Sequence, residues 1–217
     1  MNNTTTTYGS PLRTLRALVP ARRLSRSETL RIAELQANRL LELFDITGPQ
    51  VPSELVSEFP YVEVRLEHDM PVSGSTHWAN GRWVITLNAD EPYVRRRFSL
   101  MHEFKHVLDH TTKDRLYGDT ANDPRATEQA ELVANYFAAC VLMPKRWLKG
   151  QWFGSGQQLA PLARRLHVST RALSVRLWYL GIAPETQRCS PNVQPSTESR
   201  RSTRYFRYTP LGAGVAA

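Results

Sequence analysis

The sequence predicts an α+β fold in which a mostly helical core carries a small antiparallel sheet and is followed by a C-terminal unit with the pattern of a helix-turn-helix. Three observations predict it. Apolar residues recur at three- and four-residue spacing over long stretches near 28–44, 93–110 and 124–143. Between 62 and 87 the period shortens to two, and near the end two short helical patterns flank His167-Val168-Ser169. At 217 residues and 41% apolar content, the chain can bury one good core and a small appendage.

Residues 1–24 are rich in Thr, Pro and Arg and read as a disordered basic arm. Ser25 and Glu28 then have capping-box spacing, and Leu30, Ala33, Ala37, Leu40, Leu41 and Phe44 follow a helical period. Pro49 and Pro52 end that helix, and a short helix near Ser53 to Glu58 precedes Pro60. Val62, Val64 and Leu66 alternate, as do Trp83, Ile85 and Leu87, while Asn80-Gly81 is a strong two-residue hairpin signal. Trp78 and Trp83 flank that turn and read as a cross-strand packing pair rather than as readers of a substrate.

The next helix has Asp90 as its expected N-cap and Pro92 in its first turn. Val94, Phe98, Met101, Phe104 or Lys105, and Leu108 form its apolar stripe. Asp123-Pro124 opens a further helix that Pro144 closes, with Val133, Phe137 and Cys140 or Val141 inward. The core so defined runs over 25–150. Residues 151–183 form the helix-turn-helix-like unit, with Ser169 capping its second helix, and 184–217 read as a disordered basic tail. As a DNA reader that unit would offer Arg171 and Arg176 to the major groove. The competing reading, in which Leu173, Val175, Leu177 and Leu180 pack it against the core, is the one favoured here.

The chemistry sits in His102-Glu103-x-x-His106. On a helix, residues four apart share a face, so two imidazoles can grip one Zn²⁺ while Glu103 stands beside its open position. A catalytic zinc takes three protein ligands and a water. His110 extends the row, but a straight helix cannot wrap three ligands spanning two turns around one ion. Asp109 and Thr112 stand where a metzincin would have Gly and His. Glu131 on the following helix is the better third ligand, and Asn135, on the same face, is placed to orient a ligand imidazole. The alternative is that Glu131 is part of a solvated acidic helix start, a role that suits Glu128 better.

The segment from Arg97 to His110, followed by Glu131-x-x-Ala-Asn-x-Phe-Ala-Ala-x-x-Leu-Met-Pro144, closely resembles the ImmA/IrrE family of bacterial zinc metallopeptidases. The resemblance covers most of 28–183. It implies a zincin-like core, a gluzincin-like site with His102, His106 and Glu131 on zinc, and Glu103 as general base. It also implies an endopeptidase that cleaves a helix-turn-helix repressor to release mobile-element or stress genes. Lys105 stands where the family usually has a small residue, so it either places a cation near the metal or points away. Mn²⁺ or Fe²⁺ can occupy the same nitrogen and oxygen ligands. Tyr117, Tyr136 and His110 are candidate oxyanion stabilisers by their place in the chain.

No stretch reaches the ~18 apolar residues of a membrane span, and the polar N-terminus lacks a signal-peptide core, so a cytoplasmic location is expected. Cys140 reads as a buried helix residue and Cys189 as part of the tail, which argues against a disulfide. The net charge of +8 is mostly arginine, clustered in Arg13 to Arg26 and Arg200 to Arg207, and suggests weak, salt-sensitive attraction to nucleic acid. Two rival functions follow. One is a DNA-binding regulator with a structural or sensory metal site; the other is an accessory protein that acts by binding a partner alone.

Overall fold

The computed structural model describes residues 10–183, so the segments 1–9 and 184–217, including the expected basic tail and Cys189, lie outside the described residues. The expected arm over 1–24 is ordered in its second half. Pro11–Arg16 form helix α1, Leu15 is fully buried, and Val19 packs in a second small cluster with Ile32 and Leu116. Burying two large apolar side chains offsets the entropy of ordering the segment, which composition alone did not reveal.

Helix α2, Arg26–Leu43, begins with the anticipated capping box. Ser25 N donates to Glu28 Oε2 at 2.8 Å while Ser25 Oγ accepts from Glu28 N. Its buried face carries Ala33, Ala37, Leu40 and Leu41. A 3₁₀ helix, Ser53–Glu58, leads into the sheet.

Strands β1 (Val62–Glu67), β2 (Gly74–Ala79) and β3 (Arg82–Asn88) form that sheet in the order β1-β3-β2. Asn80 and Gly81 both have positive φ, 50° and 76°, as a two-residue type I′ turn requires, and Trp78 faces Trp83 across the hairpin with ring centroids 5.4 Å apart. The expectation of an all-antiparallel sheet is corrected, because β1 runs parallel to β3. The chain reverses direction twice between them, so β1 and β3 point the same way, and residues 68–73 carry β2 past β3 instead of leaving it beside β1. Asn88 Nδ2 holds this connection by donating to Met70 O at 3.1 Å. Asp90 holds it too, accepting from Asp69 N at 2.8 Å and lying 2.6 Å from His68 Nδ1. Asp90 is therefore not the N-cap of the next helix; Pro92 occupies that position.

Helix α3, Tyr93–Asp109, lies between the sheet and helix α5, Pro124–Leu142, and α5 in turn packs on α2. Phe104 joins the layers, with its ring 4.8 Å from Phe59 and 6.5 Å from Phe137. Arg16 closes the C-terminal end of α3 by donating to Leu108 O and Val107 O at 3.1 and 2.7 Å. The short α4, Lys113–Leu116, follows, and Asp123 caps α5 by accepting from Arg125 N.

Helix α6, Lys145–Gly154, spans the boundary expected at residue 150. Helices α7, Leu159–Leu166, and α8, Thr170–Tyr179, turn at His167, with φ at 52°, and Ser169 caps α8 as expected. Leu162, Leu173 and Leu177 are fully buried in the same core cluster as α2, α3 and α5. Arg97 of α3 fastens this pair by donating to Leu166 O at 3.0 Å, His167 O at 2.6 Å and Val51 O.

Candidate metal centre

One turn of α3 separates His102 and His106, and their Nε2 atoms stand 3.1 Å apart. Glu131 reaches across from α5, with Oε2 3.2 Å from His102 Nε2 and Oε1 3.3 Å from His106 Nε2. Four-coordinate zinc with bonds of 2.0–2.1 Å separates its ligand atoms by about 3.3 Å, the edge of a tetrahedron. The spacing of these donors therefore fits a single metal ion. His102 is fully buried, His106 and Glu131 nearly so, and Glu131 Oε2 accepts no hydrogen bond from the described residues. An acceptor buried in that state is costly unless a cation faces it.

The three groups also interact strongly with one another. Burial alone would raise the Glu131 carboxyl, but the imidazoles of His102 and His106 outweigh it and hold the group at about 2. Burial likewise acts to lower His106, yet Glu131 and Glu103 raise it above its ordinary value. His102 Nδ1 lies 3.0 Å from Asn135 Oδ1. A proton on Nδ1 donated there leaves the Nε2 lone pair directed at the cluster, which is how an outer amide fixes the tautomer of a metal-ligating histidine.

Glu103 is 5% exposed and faces β2. Thr76 Oγ1 donates to its Oε2 at 2.7 Å. Gly74 leaves room for it: a Cβ there would stand 3.0 Å from Glu103 Cγ and 3.3 Å from Oε1. Sequence reasoning missed Gly74 and Thr76. Their two-residue spacing placed them on one face of a strand, but nothing in it said that this face meets α3.

Lys105 points away from the metal centre. Its Nζ is fully buried and donates to Asp109 Oδ1 at 2.5 Å and Gln36 Oε1 at 2.8 Å. Burial lowers its pKa, with Asp109 opposing. Of the three oxyanion candidates, Tyr117 and His110 line a small recess of about 40 Å³ together with His106 and Glu131. The Tyr117 hydroxyl donates to Asp109 Oδ2, and the His110 ring stands edge-on to Trp83 at 4.7 Å. Tyr136 turns elsewhere, with its hydroxyl 3.4 Å from Glu34 Oε2 and its ring against Tyr179.

On the other side of Glu131 a groove of about 1490 Å³ opens between α3, α5 and α8. Arg171 and Arg176 both line it. Arg176 is 1% exposed, with Nε donating to Met143 O at 3.3 Å, so its guanidinium is built into the α5–α8 junction, as the packing reading of this unit expects, and is not offered to a DNA groove. Arg171 is exposed.

Residues 62–178 match the Peptidase M78 family, the IrrE N-terminal-like domain. The chain belongs to this family. The matched span contains the cluster of His102, His106 and Glu131, in keeping with the zinc dependence of these peptidases. The IrrE-like fold also resembles a solved Mycobacterium tuberculosis transcriptional regulator, at a TM-score of 0.51 and 15% identity. That similarity covers 78% of this chain and 52% of the other, so the chain spans about half the length of that regulator, and the likeness is one of fold. No curated protein sequence matches the chain.

Proposed function

We propose that this chain is a zinc-dependent endopeptidase whose substrate is a helix-turn-helix transcriptional repressor, cut to release genes that the repressor silences. The observation that carries the reading is the cluster of three donor atoms, 3.1–3.3 Å apart, with the Glu103 carboxylate on the same helix beside it. His102, His106 and Glu131 would hold the zinc ion, which would supply a Lewis acid for the peptide carbonyl and a bound water of lowered pKa, towards ~7. Glu103 takes the proton of the attacking water and passes it to the leaving nitrogen. Thr76 occupies Oε2 and leaves Oε1 for that proton. Asn135 keeps the His102 ring in register. Strand β2 is an edge strand next to Glu103, and an extended substrate can add to it as a further strand.

The repressor assignment rests on family resemblance, and a structural neighbour that is a transcriptional regulator is compatible with it. A DNA-reading role for α8 is disfavoured, since Arg176 is buried and the α8 face bearing Arg171, Ala172 and Val175 lines a concave groove. No described helix is long and apolar enough to cross a membrane.

The test is incubation of the purified chain, with zinc or manganese, with the helix-turn-helix repressor encoded beside it, read by intact mass. A single cut made by the wild type and absent with Glu103→Gln supports the peptidase. Tight repressor binding with no cut from the zinc-loaded wild type would leave an accessory protein acting by binding alone. No cut, together with duplex DNA binding that weakens steeply with salt, would favour the DNA-binding regulator.

A further inference from the structure

The metal chemistry leaves the groove beside Glu131 unexplained. Phe98 of α3, Leu132 and Tyr136 of α5, and Ala172 and Val175 of α8 form much of its wall. Its volume of about 1490 Å³ exceeds the ~300–1,000 Å³ of a small-molecule pocket, so the space suits a length of polypeptide. An apolar seam between helices is a surface against which a segment can lay its own apolar face.

Charge makes the groove asymmetric. The α8 wall carries Arg171 and Arg176 and no carboxylate, whereas the α5 wall carries Glu128 and Glu131. Arg171 is exposed and has no ion-pair partner among the described residues. Arg176 is committed to the α5–α8 junction: Nε donates to Met143 O, Nη2 lies 3.8 Å from Glu34 Oε1, and the guanidinium stands over the Tyr136 ring. Arg95, on the α3 side, is already tied to Glu91 at 3.6 Å. Among the described residues of the groove wall, the unpaired exposed cation is thus Arg171 of α8. At its other side the groove runs into the metal centre, because Glu131 and Asn135 belong to both.

We propose that this groove docks the substrate polypeptide, an inference that rests on the peptidase reading and specifies its substrate class. It selects a segment whose apolar side chains lie against Phe98, Leu132 and Val175 and whose carboxylate side chain faces Arg171. A segment seated there continues past Asn135 and Glu131 to the reacting bond. The two walls also set its direction, since a carboxylate is favoured by Arg171 on α8 and repelled by Glu128 on α5.

The test pans a random dodecapeptide library on the full chain carrying Glu103→Gln, which binds without cutting. Recovered peptides are then measured by fluorescence anisotropy. The expected result is enrichment of apolar residues with Asp or Glu. Adding Arg171→Glu should weaken the acidic peptides at least tenfold and shift a fresh selection towards Lys and Arg. Adding Val175→Asp should lose both sets, with an unchanged circular dichroism spectrum showing that the fold survives. Failure to enrich any peptide overturns the proposal, as does recovery of the same acidic peptides by the Arg171→Glu chain. Displacement of the peptides by duplex DNA overturns it in favour of a nucleic-acid surface. Binding needs no turnover, so the two readings fail separately. Peptide selection without repressor cleavage removes the peptidase and keeps the groove, and cleavage unaltered by Arg171→Glu and Val175→Asp does the reverse.

Discussion

Two faces of α3 bury ionisable groups, and they satisfy them in opposite ways. Towards α2, Lys105 supplies a cation of the chain's own: its Nζ donates to Asp109 and Gln36, and the Tyr117 hydroxyl takes the other Asp109 oxygen. Towards α5, Glu131 meets two imidazoles and keeps one buried oxygen without a hydrogen bond. The first face is complete within the protein. The second presents three donor atoms at the spacing that one metal ion takes. A buried carboxylate with its own ammonium is thus a structural element, and one facing two imidazoles at tetrahedral spacing is a binding site.

Altering one face and measuring the other shows whether the two are independent. Glu103→Gln should lower turnover about 10²–10⁴-fold, the usual worth of general acid–base catalysis, while leaving zinc content at the wild-type level. Cleavage assayed by intact mass and zinc measured by atomic emission check both halves. Lys105→Met leaves the Asp109 carboxylate buried with only the Tyr117 hydroxyl and should cost about 3–5 kcal/mol in urea unfolding. The double change Lys105→Met/Asp109→Asn should recover much of that loss. If Lys105→Met instead removed zinc and left stability unchanged, the two faces would not be separate.

Smaller effects sharpen the metal face. Asn135→Ala frees the His102 ring and should weaken zinc affinity about 10–100-fold in a chelator competition. Thr76→Val removes the hydroxyl that holds Glu103, an interaction worth about 1.5–3 kcal/mol, and should lower kcat with little change in KM. Thr76→Ser should restore most of the rate; equal loss in Val and Ser variants would assign Thr76 to packing.

The long-range part of the site was legible where local periodicity carries it. His102, Glu103 and His106 follow from one helical turn, and Glu131 with Asn135 from the next long helix, so both elements that carry the donor cluster could be read from spacing. What links elements could not. Strand order depends on which side of β3 the connection over 68–73 passes, and alternation in Val62–Glu67 is the same for a parallel or an antiparallel neighbour. Thr76 and Gly74 act on Glu103 only because β2 is the strand that meets α3. Arg176 reads as an exposed helix cation until α5 covers it, and Pro11–Arg16 reads as loose chain until Leu15 finds its pocket.

The most direct test of the account is the zinc content of three purified chains: wild type, Glu103→Gln and Glu131→Ala. One zinc per chain is expected for the first two, and for the third a fall of at least tenfold in occupancy after dialysis against a weak chelator, with the fold intact by circular dichroism. A full equivalent of zinc retained by Glu131→Ala would contradict the assignment of the third ligand and, with it, the metal centre as described.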